Sequence, residues 1–465
     1  NAAKLFAGGS LAAEPRGKDG PGMPAADITA FMPTTFRPTS DGRMAPEYPV
    51  GFPLIIAAMA KLVGLERAVP TILLLHLLLG VLFTQRLAGV LGLRGGWSWF
   101  AAALVGFSPV YLFQGLQPQS DVPALVWVTA AVFWAWQSRE RPKLAIAAGL
   151  ATALAVTIRP ANVLCFVPVV IGLWGSGRRL GLWALAGLPF AAGLAWYNAA
   201  MYGAPWRTGY GSVGHFFGAE YAGPTIMAYA KWLPLFFTPL ILLAVVAPFR
   251  REIAGRVRAL LGAWGAVFAG FYLVYWCTHD NWYNMRFVLP AAPALLIAAL
   301  LVLKEWSARR GWDLFAPPTS WRAALPTVVL VGAALGWAAV ETARRQVMYW
   351  MEFNQGHRHA ALWLRDNLPR NAVVFAKHTS NSVWYYTDLP LLRMDQPAAR
   401  APETLSGLAA ANRPIYALTQ HWERAGFQWG AGKGDGRPDL PGRWERMMVM
   451  EDGELMVWRW VGAEG

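Results

Sequence analysis

The sequence predicts a polytopic α-helical membrane protein with a small C-terminal α/β domain outside the bilayer. Three observations predict it. About ten strongly apolar stretches follow one another, separated by short polar or charged knots. Each approaches the roughly 20 apolar residues that a helix needs to cross a hydrocarbon core, and a backbone in lipid must satisfy its own hydrogen bonds. Charge is unevenly spread: the chain is 55% hydrophobic, and its 15% of charged residues gather in the knots and in residues 1–49 and 344–465. Lastly, Lys and Arg alternate between rich and poor knots along the chain.

The basic knots set a topology. Arg139, Arg141 and Lys143 form one; Arg178 and Arg179 another; Arg250, Arg251, Arg256 and Arg258 the richest; Lys304, Arg309 and Arg310 the last. The positive-inside rule makes them cytoplasmic. The net charge of +14 is therefore a topology signal and argues against a nucleic-acid partner. The parity holds with spans at 68–91, 97–115, 122–138, 143–158, 161–177, 180–200, 227–248, 257–277, 287–303 and 323–342. It requires residues 50–65 to lie at the interface as a short helix. The expected organisation is a first external loop over 1–67, a transmembrane domain over 68–342, and an extracytoplasmic domain over 343–465. Asn1 does not read as a start, so a preceding span is expected upstream. The protein is expected to be multi-pass in the cytoplasmic (inner) membrane.

In the C-terminal region, 357–368 and 403–411 have helical spacing, while 371–377 and 415–420 read as buried strands. RMMVME and ELMVWRWV flank Asp452-Gly453, a hairpin signal. The region shows no Gly-rich phosphate loop, zinc spacing or nucleophile elbow. His357 and His359, two residues apart, point to different helix faces and make a poor metal pair. Cys165 and Cys277 read as apolar thiols in or near spans.

Polar residues at the outer ends of apolar helices are the candidates for chemistry, because an ionisable group near a membrane is costly. Asp121 opens a span in QPQSDVPALVWV. It reads equally as a carboxylate facing a cavity and as helix-capping chemistry. Arg159, in LAVTIRPANVL, could grip a lipid phosphate bidentately or snorkel to head groups. His279, Asp280 and Arg286 form the densest outer cluster, in CTHDNWYNMRFVLP. Arg286 breaks the charge trend and asks for an anionic partner; the bland reading is an interfacial anchor beside Trp282 and Tyr283. The loop at 197–221 offers Arg207, Tyr210, His215 and Glu220, a weak sugar-binding signal. His76, mid-span, reads as a packing hydrogen bonder.

Several segments, taken in order, resemble the GT-C superfamily of membrane glycosyltransferases. They are AAKLFAGG before a long polar loop and EYPVGFPLIIAAMAKLVG, then SPVYLFQGLQPQSDVPA, AGLATALAVTIRP, YNAAMYGAPWRTGY and NMRFVLPAAPALL. The likeness is to bacterial members akin to dolichyl-phosphate-mannose protein mannosyltransferases and the lipid A aminoarabinose transferase. The resemblance implies a GT-C-like helix bundle and inverting transfer of a sugar from a polyprenyl-phosphate donor to a lipid, glycan or protein acceptor at the extracytoplasmic face. It implies an aspartate of the first external loop as base, at a position upstream of Asn1; Asp27 and Asp41 do not match that position. Asp121 matches a supporting second-loop aspartate. Arg159 and Arg286 match positions near the donor phosphate, and Glu47 and Tyr48 match a loop end that approaches the donor. Relatives occur with and without a divalent cation; few carboxylates cluster in this sequence, so the reading is against one. Two other classes compete. A transporter or flippase would want mid-membrane polar groups, broken helices and repeats. A non-catalytic assembly subunit is favoured if no catalytic aspartate exists.

Overall fold

The computed structural model turns the apolar stretches into helices, but of unequal length. It describes residues 1–463 except 313, 318, 319, 422, 424–435 and 451–453. The chain divides into two units, one holding Pro49–Trp196 and Ser212–Met348, the other Asn1–Tyr48, Tyr197–Gly211 and Tyr349–Gly465.

Among the described residues, four helices are long and apolar enough to cross a membrane: Leu65–Val90, Gly177–Tyr202, Leu289–Arg309 and Trp321–Arg344. A fifth candidate is the pair Gly96–Gly106 and Pro109–Gly115, bent by 62°. Its bend falls at Ser108, which is extended (φ −61°, ψ 130°) because the following proline disfavours helical backbone there. The other expected stretches are helical but short, broken or charged. Asp121–Gln137 has 17 residues and Leu144–Ile158 has 15. Pro160–Cys165 is a 3-10 turn leading into Phe166–Leu173. Ala222–Phe237 stops at Thr238 (φ 63°), before Pro239. Gly255–Leu273 carries Arg256 and Arg258 in its first turn. Residues 50–65, expected as a short helix, contain the 13-residue helix Gly51–Val63.

The Asp121–Gln137 helix is buried nearly all round, with Val122, Ala124, Leu125 and Val128 inaccessible. Its apolar side chains on every face suit a central position. A close backbone approach joins the Leu144–Ile158 and Gly177–Tyr202 helices. A side chain at Gly149 would come within 2.3 Å of the Trp183 carbonyl oxygen, so only glycine lets those helices meet. His76 accepts from Trp127 Nε1 at 3.3 Å, and its Nδ1 lies 2.8 Å from the Ile72 carbonyl. It is the packing hydrogen bonder the sequence suggested. By contrast, only 6% of the apolar window of Gly177–Tyr202 and 11% of that of Trp321–Arg344 is buried.

The second unit contains a five-stranded sheet. β1 (Phe36–Pro38) and β2 (Met44–Pro46) form a separate antiparallel pair. The sheet itself runs β4-β3-β5-β7-β6, with β3 at Val373–Ala376, β4 at Leu391–Arg393, β5 at Ile415–Gln420, β6 at Arg443–Met450 and β7 at Leu455–Gly462. β3 is parallel to β4 and β5, while β7 is antiparallel to β5 and β6. β3 and β5 are buried at every position. That pattern belongs to strands covered on both faces. Leu364 and Val383 pack on one face, Ala399, Leu405 and Leu408 on the other. The β6–β7 pairing matches the predicted hairpin; Asp452 and Gly453 lie outside the described residues.

Candidate functional site

Two helix ends and one irregular segment build a charged cluster in the helical unit. The N-cap residue Ser120 makes no side-chain cap hydrogen bond, and Asp121 follows it as the first residue of the helix. The Asp121 carboxylate pairs with Arg159, and the two side chains are 4% and 18% exposed. Arg159 ends the Leu144–Ile158 helix in extended backbone (φ −145°, ψ 114°). Pro160 enforces this, because the residue before a proline is pushed out of the helical region. The turn thereby aims the guanidinium at the start of a neighbouring helix.

Arg286 joins the cluster through an aromatic ring. The guanidinium carbons of Arg159 and Arg286 lie 5.5 and 5.0 Å from the Phe287 ring centre. Tyr272 stacks on the same ring at 5.2 Å. Arg286 Nη1 donates to Gln119 Oε1 at 2.9 Å. Gln119 in turn donates to Gln117 Oε1 at 3.3 Å, and Gln117 to the Phe113 carbonyl at 2.9 Å. Among the described residues Arg286 has no carboxylate partner, and its buried Nε has no hydrogen-bond acceptor. One guanidinium is thus neutralised by Asp121, while the other is held by a neutral amide and keeps its charge.

The same segment carries further unused polar atoms. Among the described residues, Thr278 Oγ1 and His279 Nδ1 are buried without partners, as is Gln114 Oε1. Gln114 Nε2 donates to the Tyr283 carbonyl at 3.4 Å, which ties it to this segment. His279 Nε2 lies 3.5 Å from Asp280 Oδ1, and its ring stacks on Tyr221 at 5.9 Å. Trp282 and Tyr283 rest on Phe113 at 4.8 and 6.3 Å. These rings pack on protein as well as lying in an interfacial sequence pattern.

Glu47, Tyr48 and Tyr210 belong to the other unit. Glu47 is taken by Arg37 at 2.6 Å. Tyr48 and Tyr210 meet edge to face at 5.9 Å. Tyr202 donates to the Pro46 carbonyl at 2.5 Å, and a side chain at Gly209 would strike the Glu47 carbonyl oxygen at 2.3 Å. Asp121, Arg159, Arg286 and the newly found Gln119 therefore form one group, while His279 and Asp280 pair with each other on the segment that carries Arg286. Glu47, Tyr48 and Tyr210 form a second.

Sequence reading missed Gln114, Gln117, Gln119 and Phe287. Their only signal is the run QGLQPQSD, in which amides flank a proline just before an acidic helix start. Among the described residues no three His, Cys, Asp or Glu side chains converge. Asp121 is spent on Arg159, and Asp280 has only His279 beside it. The described residues do not assemble a donor set that fits a divalent cation.

With this geometry in view, solved structures give a match. ArnT from Cupriavidus metallidurans, in the apo state, superposes with a TM-score of 0.51 at 15% identity, over 89% of this chain and 87% of that one. The archaeal oligosaccharyltransferase AglB from Archaeoglobus fulgidus, in complex with an inhibitory peptide and a dolichol-phosphate, gives 0.51 at 12% identity, over 84% of this chain and 63% of that one. Both are GT-C superfamily membrane glycosyltransferases. This chain shares its fold with these two proteins. The resemblance read from the order of sequence segments is thus matched in three dimensions. No protein-family model matches the chain, and no curated protein matches it in sequence.

Proposed function

We propose that this protein is an integral membrane glycosyltransferase that moves a sugar from a polyprenyl-phosphate donor to an acceptor at the extracytoplasmic face, with inversion. The observation that carries the reading is the surplus cation at Phe287: two guanidiniums on one ring, with one carboxylate between them. An anionic ligand completes that balance. The dolichol-phosphate bound to AglB supports a lipid phosphate as the ligand. The nearly bare apolar faces of Gly177–Tyr202 and Trp321–Arg344 support a bilayer around the helical unit, since soluble surfaces rarely expose such patches. In this reading the protein is multi-pass in the inner membrane, with residues 343–465 outside.

The chemistry follows from these groups. An acceptor hydroxyl oxygen forms a bond to the anomeric carbon as the bond from that carbon to the lipid phosphate oxygen breaks. The bonding pair leaves on the phosphate. Arg286 stabilises that charge as it develops, with no proton transfer. Arg159, oriented and neutralised by Asp121, supports the same phosphate. A carboxylate takes the hydroxyl proton; we assign that role to an aspartate of the first external loop, with Asp121 as a supporting residue. Base and leaving group stand on opposite faces of the sugar, as in inverting hydrolysis. His279 and Asp280 offer hydrogen bonds to the sugar, and the sequence resemblance leads us to assign Glu47, Tyr48 and Tyr210 to binding of donor or acceptor.

The test is transfer from a polyprenyl-phosphate sugar by the purified protein in liposomes. Arg286→Ala is expected to lower turnover by about 10²–10³-fold, the effect of deleting one charge-stabilising donor. Arg286→Lys should recover part of it. Full activity in Arg286→Ala rejects the site. Mass spectrometry of lipid that co-purifies with the wild-type chain, but not with Arg286→Ala, identifies the carrier.

A further inference from the structure

We infer that the helical unit holds an anionic diacyl phospholipid at the end of the Gly255–Leu273 helix remote from Arg286. The inference rests on the proposal that this unit is embedded in a bilayer. The helix has two differently equipped ends. Tyr272, near its C-terminus, stacks on Phe287 beside the two arginines. Arg258 lies in its first turn, about 21 Å away at 1.5 Å per residue.

At Arg258 begins a cavity of about 240 Å³. The Gly255–Leu273 helix forms one wall, through Gly262 and Ala269. Ala244, Pro248 and Leu295, from neighbouring elements, form the others. From Arg258 to Ala269 the trough runs about 16 Å along the helix, the scale of an acyl chain. The space is real at Gly262, where an added side-chain carbon would meet only Pro248 Cγ at 3.8 Å. The walls are almost wholly apolar, so water filling it would lack hydrogen-bond partners. Arg258 is the one charged residue in the lining.

Arg258 is also poorly satisfied. Among the described residues its buried Nε has no partner, and its Nη1 makes only a 3.4 Å contact to the Pro248 carbonyl. Its neighbours in the basic knot are otherwise engaged or exposed. Arg256 donates to the carbonyls of Ile171 and Trp174 at 2.9 and 2.8 Å. Glu252, the acidic residue of the knot, is paired with Arg309. A basic group at the mouth of an apolar trough between helices matches a phospholipid, with phosphate on the guanidinium and one chain in the trough. Basic pockets of this kind select anionic head groups, at about 1 kcal/mol per cation.

The experiment uses the full chain incorporated into vesicles of equal parts phosphatidylglycerol and phosphatidylcholine. Flotation reads membrane association, and native mass spectrometry of the released protein reads retained lipid. We expect one retained phosphatidylglycerol per chain, preferred about fivefold over phosphatidylcholine. Arg258→Gln should abolish the preference, and Arg258→Lys should keep it. Gly262→Leu, which fills the trough, should reduce retention of both lipids. Arg286→Ala should leave retention unchanged. Equal retention of both lipids by the wild type overturns the inference, as does indifference to both Arg258→Gln and Gly262→Leu. Displacement of phosphatidylglycerol by an equal amount of polyprenyl phosphate assigns the trough to the carrier and overturns it too. A chain that does not float overturns the membrane reading along with the lipid site; one that floats without preference overturns the lipid site alone.

Discussion

Arg393 in the sheet unit and Arg286 in the helical unit are both half-buried guanidiniums at the end of an apolar segment, and they are satisfied in opposite ways. Arg393 ends its strand and grips Asp395 with two nitrogens, Nε at 2.6 Å from Oδ1 and Nη2 on Oδ2. Among the described residues, Arg286 has the Gln119 amide as its hydrogen-bond partner, beside its contact with the Phe287 ring. A carboxylate both orients and neutralises a guanidinium, whereas an amide orients it and leaves the charge to be used. Arg159 has the first kind of partner, yet shares its aromatic support with Arg286. In the proposed function, the contrast separates charges that complete the fold from charges kept for a ligand.

Removing the carboxylate from the neutralised arginine should produce the largest change in stability. Asp121→Ala leaves Arg159 buried and uncompensated, which costs about 3–5 kcal/mol for such pairs. Thermal unfolding in detergent should show the loss, with Asp121→Asn intermediate. A variant as stable as the wild type would mean the pair contributes nothing to the fold. The reverse manipulation sharpens the comparison. Gln119→Glu gives Arg286 the kind of partner Arg393 has. Stability should hold or rise, while binding of polyprenyl phosphate should weaken about 10–100-fold, the value of a hydrogen bond to a charged group. Unchanged binding would show that the charge of Arg286 is not reserved for a ligand.

The smallest effect is expected in the sheet unit. Partial burial, and then neighbouring Lys377, hold the His378 imidazole below its ordinary 6.5, at about 4. The folded state therefore binds fewer protons than the unfolded state between these values. The resulting stability is fully present above about 6.5 and is lost as pH falls through that range to about 4. The ring keeps contact with water, so the change is modest. Denaturant midpoints at pH 7, 5 and 4 should fall less steeply in His378→Gln than in the wild type; parallel curves would remove the assignment.

The positions of the helices were legible because apolar spacing is a local signal. Their ends were less so. The stop at Thr238, with φ 63°, and the bend at Ser108 depend on neighbouring prolines and on packing that periodicity does not encode. Asp121 shows the same limit within the site. In sequence it fitted a cap and a cavity equally well; the choice was made by Arg159, 38 residues away. Arg286 stood out because it broke a charge trend. Gln119 did not, because an amide beside a proline reads as an ordinary turn. The meeting of Arg159 and Arg286 on Phe287 joins segments far apart in the chain, and only the fold brings them together.

The sheet unit is assembled from three stretches of chain, and its first stretch is bonded to its last. Asn1 Nδ2 donates to Asn381 Oδ1 across 380 positions, and Thr34 accepts from Asn381 across 347. During synthesis, residues 1–48 must therefore wait while the whole helical unit is made and released from the ribosome. Such long-range closure is slow, and a waiting segment with apolar side chains such as Phe31 and Met32 is a natural client for a chaperone. Nascent chains stalled before residue 381 should leave that segment open to protease, and chains extended past β7 should protect it.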